Sequence, residues 1–439
     1  MLFRNRFRTA LEMCAFATAS LIAAPSSADL QSFVNKPETA FEWQLKNRSE
    51  QSSERIYDLQ FVSQVWQGKK WQHQLQIYRP ADAPQSSTMF LWVTGGAATP
   101  QAISLGLDLA RKSKAPVAFL YHIPNQPLLE GNLREDDLIA ETFVRYLKSE
   151  DENWPLLFPM VKSVVKAMDV LQAFGKNEWS VPTDKFIVAG ASKRGWTTWL
   201  TAAVDKRVGA LAPVVIDTLN MRAQMQHQLQ ALGAYSSRLV PYSSRGLLPI
   251  PETPAGARLL SMVDPWAYRE RLTMPKLIIN GTNDFYWATD ALNLYWDGIP
   301  SNKWVRYVPN AGHNLRRQDR PQQEQLNDLV TSLAAFSRHQ ISGVPMPTVR
   351  WKHESVDGKP RLTIDATPAP TGARLWVAQT ATMDFRTAQW REQQVKFSDG
   401  KIFGEVTRPE QGHLAFFGEL DYKIDGLRYN LSTQVRMTE

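Results

Sequence analysis

The stretch Phe186-Ile187-Val188-Ala189-Gly190-Ala191-Ser192-Lys193-Arg194-Gly195-Trp196 decides how this chain is read. An apolar run stops at a small-x-Ser-x-x-Gly turn, and a helical pattern follows from Thr197 to Val204. A strand, turn and helix of this kind set a serine on a sharp bend, with its hydroxyl clear of the sheet and the helix N-terminus beneath it. Gly190 and Ala191 suit the bend, because a tight elbow leaves no room for side chains beside the serine. Ser192 is therefore the candidate nucleophile.

A serine hydroxyl attacks a carbonyl only when a base takes its proton, and the base needs a group to orient it. Asn280-Gly281-Thr282-Asn283-Asp284 follows one downstream apolar run, and Asn310-Ala311-Gly312-His313-Asn314 follows the next. Ser, Asp, His is the chain order of an α/β-hydrolase triad. His313 is expected to be the base and Asp284 to hold its tautomer. Asp217, ending Val214-Val215-Ile216-Asp217, stands as the alternative acid. The oxyanion needs two preorganised N–H donors. Lys193 N–H follows the nucleophile, and Gly96 in Gly95-Gly96-Ala97 lets a second backbone approach. A histidine base titrates between about pH 5 and 8, so the rate should rise across that window.

Other residues near the motif are less specific. Arg194 takes the place of the second glycine of a common G-x-S-x-G elbow, and the glycine comes one position later, at Gly195. Lys193 and Arg194 put two cations beside the serine, to receive an acidic substrate, to stiffen the oxyanion site, or as solvated charge. Phe285, Tyr286, Trp287, Tyr295 and Trp296 cluster around Asp284. About half should be core, and one or two facing a cleft would suit a ring-bearing or sugar substrate.

Working outward, residues 29–50 read as a loosely ordered lead-in. Tyr57 to Trp66 and Trp71 to Ile77 read as an antiparallel hairpin, since apolar and polar residues alternate in the second run. Apolar strands then alternate with helical stretches, which predicts an α/β fold with a mostly parallel sheet covered on both faces. The rhythm breaks at about 218–273, a Gln- and Pro-rich insertion expected to act as a lid over the site. A Gly/Pro boundary at 339–347 ends the α/β-hydrolase domain (29–342). Short strands beyond it predict an Ig/fibronectin-like β-sandwich module (343–439) without a catalytic constellation.

Length and charge narrow the class further. At 439 residues the chain suits two domains. Arg4, Arg6 and Arg8, an apolar stretch from Met13 to Ala24, and Ser26-Ser27-Ala28 read as an export signal over 1–28. That implies an exported protein, periplasmic or secreted, with no stable membrane span after cleavage. Cys14 is the one cysteine and lies inside the signal, so a mature chain would hold no disulfide, zinc-thiolate site or cysteine nucleophile. The net charge of +7 shows no dense basic block, and no nucleic-acid partner is expected. No metal or organic cofactor is implied. A small-molecule or peptide substrate is the expected partner, and the oligomeric state is unspecified.

The elbow Gly190 to Trp196, together with Ile123-Pro124-Asn125-Gln126-Pro127-Leu128 and Trp154-Pro155-Leu156-Leu157-Phe158-Pro159-Met160, resembles the PhoPQ-activated pathogenicity-related family (PqaA type). The resemblance extends over nearly all of the chain after the signal. It implies an α/β-hydrolase fold and leaves the substrate open. The displaced glycine is also similar to the G-x-S-x-x-G elbow of glucuronoyl esterases, which implies that such an elbow can be catalytic. The leading expectation is a serine hydrolase acting on an ester or amide. The competing class is a non-enzymatic binding or signalling protein on a hydrolase scaffold. Replacing Ser192 separates the two.

Overall fold

Leu30, Phe33 and Val34 are buried where the sequence suggests a loose lead-in. The computed structural model describes residues 29–51, 54–80 and 86–438. The proposed signal, with Cys14, lies outside them. The Asp29 carboxylate accepts from Ser32 N–H and caps α1 (Leu30–Asn35). Phe33 then packs on Phe158, ring centroids 5.5 Å apart. β1 (Glu42–Gln51) follows as an edge strand, with Trp43 edge-on to Phe174. The lead-in is thus ordered. Its signals were a single cap and the short alternation Phe41, Trp43, Leu45, each partly buried on the core.

The remaining strands of the α/β body are β2 (Glu54–Trp66), β3 (Lys69–Arg79), β4 (Thr88–Val93), β5 (Val117–Leu120), β6 (Lys185–Ala191), β7 (Val208–Val214), β8 (Lys276–Gly281) and β9 (Lys303–Val308). The expected hairpin is β2 against β3, antiparallel. From β5 through β4, β6, β7 and β8 to β9 the pairing is parallel. The strands of this stretch are almost wholly apolar because helices cover both faces. Those helices include α2 (Pro100–Ser113), α3 (Glu135–Ser149), α4 (Leu157–Glu178), α5 (Lys193–Val204) and, later, α9 (Gln322–Ser342). The expected insertion lies between β7 and β8 and carries α6 (Met221–Leu232), the short α7 (Val240–Ser243) and α8 (Pro254–Val263).

The C-terminal strands are β10 (Thr348–Val356), β11 (Lys359–Thr367), β12 (Gly372–Thr380), β13 (Arg391–Gln393), β14 (Lys396–Ser398), β15 (Lys401–Glu405), β16 (His413–Ile424), β17 (Leu427–Ser432) and β18 (Arg436–Thr438). Among the described residues they form two antiparallel layers. One is a four-stranded sheet, β10-β11-β15-β14. The other joins the body: the order continues β8-β9-β17-β16-β12-β13, with β18 beside β16. Val305 stands opposite Ser432, and Tyr307 N–H donates to Ser432 Oγ at 3.0 Å. Without β17, β9 would present an open edge. The module expected as a separate unit therefore completes the central sheet. Among the described residues no helix is long and apolar enough to cross a membrane.

Candidate active site

Loops leaving the carboxyl ends of parallel strands converge above the sheet, where α/β folds place their ligands. Ser192 follows β6, Asp284 follows β8 and His313 follows β9. At the elbow Ser192 has φ 55° and ψ −125°, a strained conformation that a surrounding structure must impose. The imposing contact is backbone on backbone. A Cβ on Gly190 would stand 2.7 Å from Arg194 O, and one on Gly195 would stand 2.8 Å from Gly190 O. Both positions must be glycine for the turn to close.

Ser192, His313 and Asp284 are brought into one hydrogen-bonded chain. Ser192 Oγ–H can donate to His313 Nε2 at 2.9 Å, and His313 Nδ1–H donates to Asp284 Oδ2 at 2.7 Å. Asp284 is buried, and its other oxygen accepts from Tyr286 N–H at 2.8 Å. Tyr286 lies over the imidazole, ring centroids 4.3 Å apart. The alternative acid is elsewhere: Asp217 accepts from Tyr295 OH and from Asn280 Nδ2, the latter at 2.8 Å. Burial pushes its carboxyl up to about 6, against the lowering effect of those two bonds.

Lys193 begins α5, and the first N–H groups of a helix have no intrahelical acceptor. Its N–H therefore has no acceptor within the helix. Gly96 N–H lies 3.4 Å from Thr94 Oγ1 within its own turn. The two cations are not solvated charge. Arg194 grips Glu135 with two bonds of 2.7 Å and donates from Nε to Ile123 O. Lys193 Nζ donates to Asp136 Oδ2 at 3.0 Å. Burial alone would raise the Glu135 carboxyl, but Arg194, Lys193 and Gln126 together hold it down to about 2.

Asp136 was missed in the sequence. It accepts from Lys193 Nζ, Tyr286 OH and Tyr242 OH, each at 3.0 Å, and so ties the elbow, the ring over His313 and the insertion to one carboxylate. In sequence, Glu135-Asp136-Asp137 reads only as acid complementing a helix N-terminus. The cavity beside Ser192 measures about 50 Å³ and is walled mainly by apolar side chains. Met221, Met225, Leu239, Tyr242 and Leu248 of the insertion line it, with Tyr286 and Trp287 of the aromatic cluster. Trp287 Nε1–H has no acceptor among the described residues. Among those residues no cluster of His, Cys, Asp or Glu is arranged to hold a metal ion.

Residues 30–386 match the family described as PhoPQ-activated pathogenicity-related protein. The autocrine proliferation repressor protein A of Dictyostelium discoideum is 32% identical over 92% of this chain and 87% of its own length. Among solved structures, the acetyl xylan esterase from Paenibacillus sp. R4 superposes with a TM-score of 0.51 at 14% identity. That superposition covers 70% of this chain and 92% of the esterase, a likeness of fold.

Proposed function

The chain belongs to the PhoPQ-activated pathogenicity-related protein family and has an α/β-hydrolase fold, and we propose that it is an exported serine hydrolase cleaving an ester or amide through an acyl-enzyme on Ser192. The observation that carries the reading is the unbroken chain from Ser192 Oγ through His313 to buried Asp284, at 2.9 and 2.7 Å. These are the separations at which a base can take a hydroxyl proton and an acid can steady the imidazolium.

In this mechanism Ser192 Oγ attacks the substrate carbonyl carbon while its proton passes to His313 Nε2. The carbonyl π pair moves onto oxygen, and Lys193 N–H stabilises the resulting oxyanion, joined by Gly96 N–H as second donor once it turns from Thr94 Oγ1. The tetrahedral intermediate collapses as Nε2–H protonates the leaving alcohol or amine. Water then gives a proton to Nε2 and attacks the acyl carbon, and Ser192 leaves with that proton. Each oxyanion donor is worth roughly 2.7–4 kcal/mol at the transition state. The insertion 218–273 is the lid of this site, and export rests on the character of residues 1–28.

Labelling of mature protein with a fluorophosphonate tests the reading. Label should appear on the wild type and vanish in Ser192→Ala and His313→Ala. Absence of label on folded wild type would count against it. The relative's name favours a second reading, a signalling protein on a hydrolase scaffold. A biological effect that survives Ser192→Ala would support that alternative.

A further inference from the structure

The C-terminal module supplies no nucleophile, acid or base to the proposed site, yet it touches the two loops that supply the acid and the base. The segment between β12 and β13 runs beneath them. Asn283, directly before Asp284, donates from Nδ2 to Ala388 O at 2.7 Å and to Arg386 O at 3.2 Å. Asn310, three residues before His313, donates from Nδ2 to Trp390 O at 2.9 Å and accepts from Trp390 N–H at 2.7 Å. The Asn310 side chain thus pairs with Trp390 as a neighbouring strand's peptide group would. Its backbone has φ 58°, a conformation that asparagine tolerates.

The segment is itself anchored. Phe385 and Trp390 are buried, and the Trp390 ring packs on Phe417 of β16, centroids 5.3 Å apart. The two loops are also locked to each other: Asn283 N–H donates to Ala311 O, and Asn310 N–H to Thr282 Oγ1, both at 2.9 Å. Regular pairing of β8 with β9 ends at Gly281 and Val308. Beyond that point the backbone bond from Asn283 N–H to Ala311 O and the side-chain bonds of Thr282, Asn283 and Asn310 hold the loops that carry Asp284 and His313.

We propose that Asn283 and Asn310 are positioning residues for the Asp284–His313 pair, and that residues 385–390 of the module are the fixed strut on which both loops are set. The inference rests on the serine-hydrolase reading for its kinetic consequences but not for its geometry. Asparagine is neutral, so its loss leaves the charge around the imidazole unchanged and alters placement alone. Displacement of a reacting group by about 1 Å can cost of order 10²-fold in rate.

The test compares Asn283→Ala and Asn310→Ala with Asn293→Ala in the full chain. Asn293 also bridges body and module, donating to Val435 O at 2.9 Å and accepting from Gln434 Nε2 at 2.7 Å; it lies further along the same β8–β9 connection as Asp284, but its bonds go to residues after β17 and not to the 385–390 segment. All three variants should lose a similar amount of thermal stability. Only the first two should lower kcat, by about 10- to 100-fold, with KM for a p-nitrophenyl ester little changed. Only they should weaken the downfield proton resonance of His313 Nδ1–H. Wild-type kcat and resonance in both variants would overturn the inference, as would an equal loss in Asn293→Ala. If the wild type neither hydrolyses esters nor takes a fluorophosphonate, the hydrolase reading fails by itself. The resonance then still decides whether the strut sets the pair.

Discussion

The Arg194 guanidinium lies in the space that a side chain on Gly95 would need: a Cβ there would stand 1.6 Å from Nη2. This contact explains how a large residue sits two places after Ser192. The side chain leaves sideways over Gly95 to reach Glu135 and Ile123 O, and Gly195 takes over the close contact with Gly190. Gly95→Ala should push Arg194 off Glu135 and disturb the elbow, lowering kcat/KM at least tenfold. Arg194→Lys should also lower it, because an ammonium cannot reproduce the two-pronged grip. A double-mutant cycle checks the cause. Gly95→Ala should cost little when Arg194 is already alanine.

The two candidate acids can be told apart. Asp284→Asn should lower kcat by about 10⁴-fold, through the wrong tautomer of the base. Asp217→Asn should leave kcat within about tenfold and act on stability instead. Burial raises the folded-state carboxyl of Asp217 to about 6, above its unfolded value near 4. The stability it contributes is therefore present below about pH 4 and is lost as pH rises through about 6. Melting temperatures of wild type and Asp217→Asn between pH 4 and 7 check this. The wild type should lose ground relative to the variant across that range, and a parallel pair of curves would refute the assignment.

How much of this was legible in the sequence follows from the range of the interactions. The elbow could be read because strand, turn and helix are local, and because Gly190 and Gly195 answer a steric demand within six residues. Asp284 and His313 could be picked out because each sits in a turn that follows an apolar strand. The partners of Lys193 and Arg194 could not. Glu135 and Asp136 lie more than fifty residues upstream, and an acidic helix start has an ordinary local explanation. Asn283 and Asn310 look like turn formers, and only the tertiary approach of residues 385–390 gives them another task. The merging of β17 onto β9 was hidden for the same reason. Alternation marks a strand but does not name its neighbour.

The insertion is fastened to the stretch after Asp284 by a histidine–carboxylate contact. His227 Nε2 lies 2.6 Å from Asp290 Oδ1, linking α6 to the stretch after Asp284. The Asp290 hydrogen bond raises the imidazole above its usual range, in spite of burial. A raised histidine contributes stability that is fully present below its unfolded pKa, about 6.5, and lost as pH rises through the folded value. His227→Gln should therefore melt below the wild type at pH 6, with the gap closing as the pH is raised to 9. A gap that stays constant with pH would show that the contact does not titrate as an ion pair.

On the serine-hydrolase reading, the cavity beside Ser192 would set the acyl chain length. Its volume is about 50 Å³, and its wall is mainly apolar. A small apolar space of this kind favours an acyl group of a few heavy atoms, so p-nitrophenyl acetate or propionate should be hydrolysed with higher kcat/KM than the octanoate. Met225 of α6 is part of the wall, and Met225→Ala should extend the space and move the optimum to longer chains. Such a truncation in a packed wall costs about 2–5 kcal/mol, so the variant's melting curve must show a folded protein at the assay temperature. Preference of the wild type for octanoate would place the acyl chain elsewhere. A folded Met225→Ala with an unchanged chain-length profile would show that α6 does not form the end of the acyl pocket.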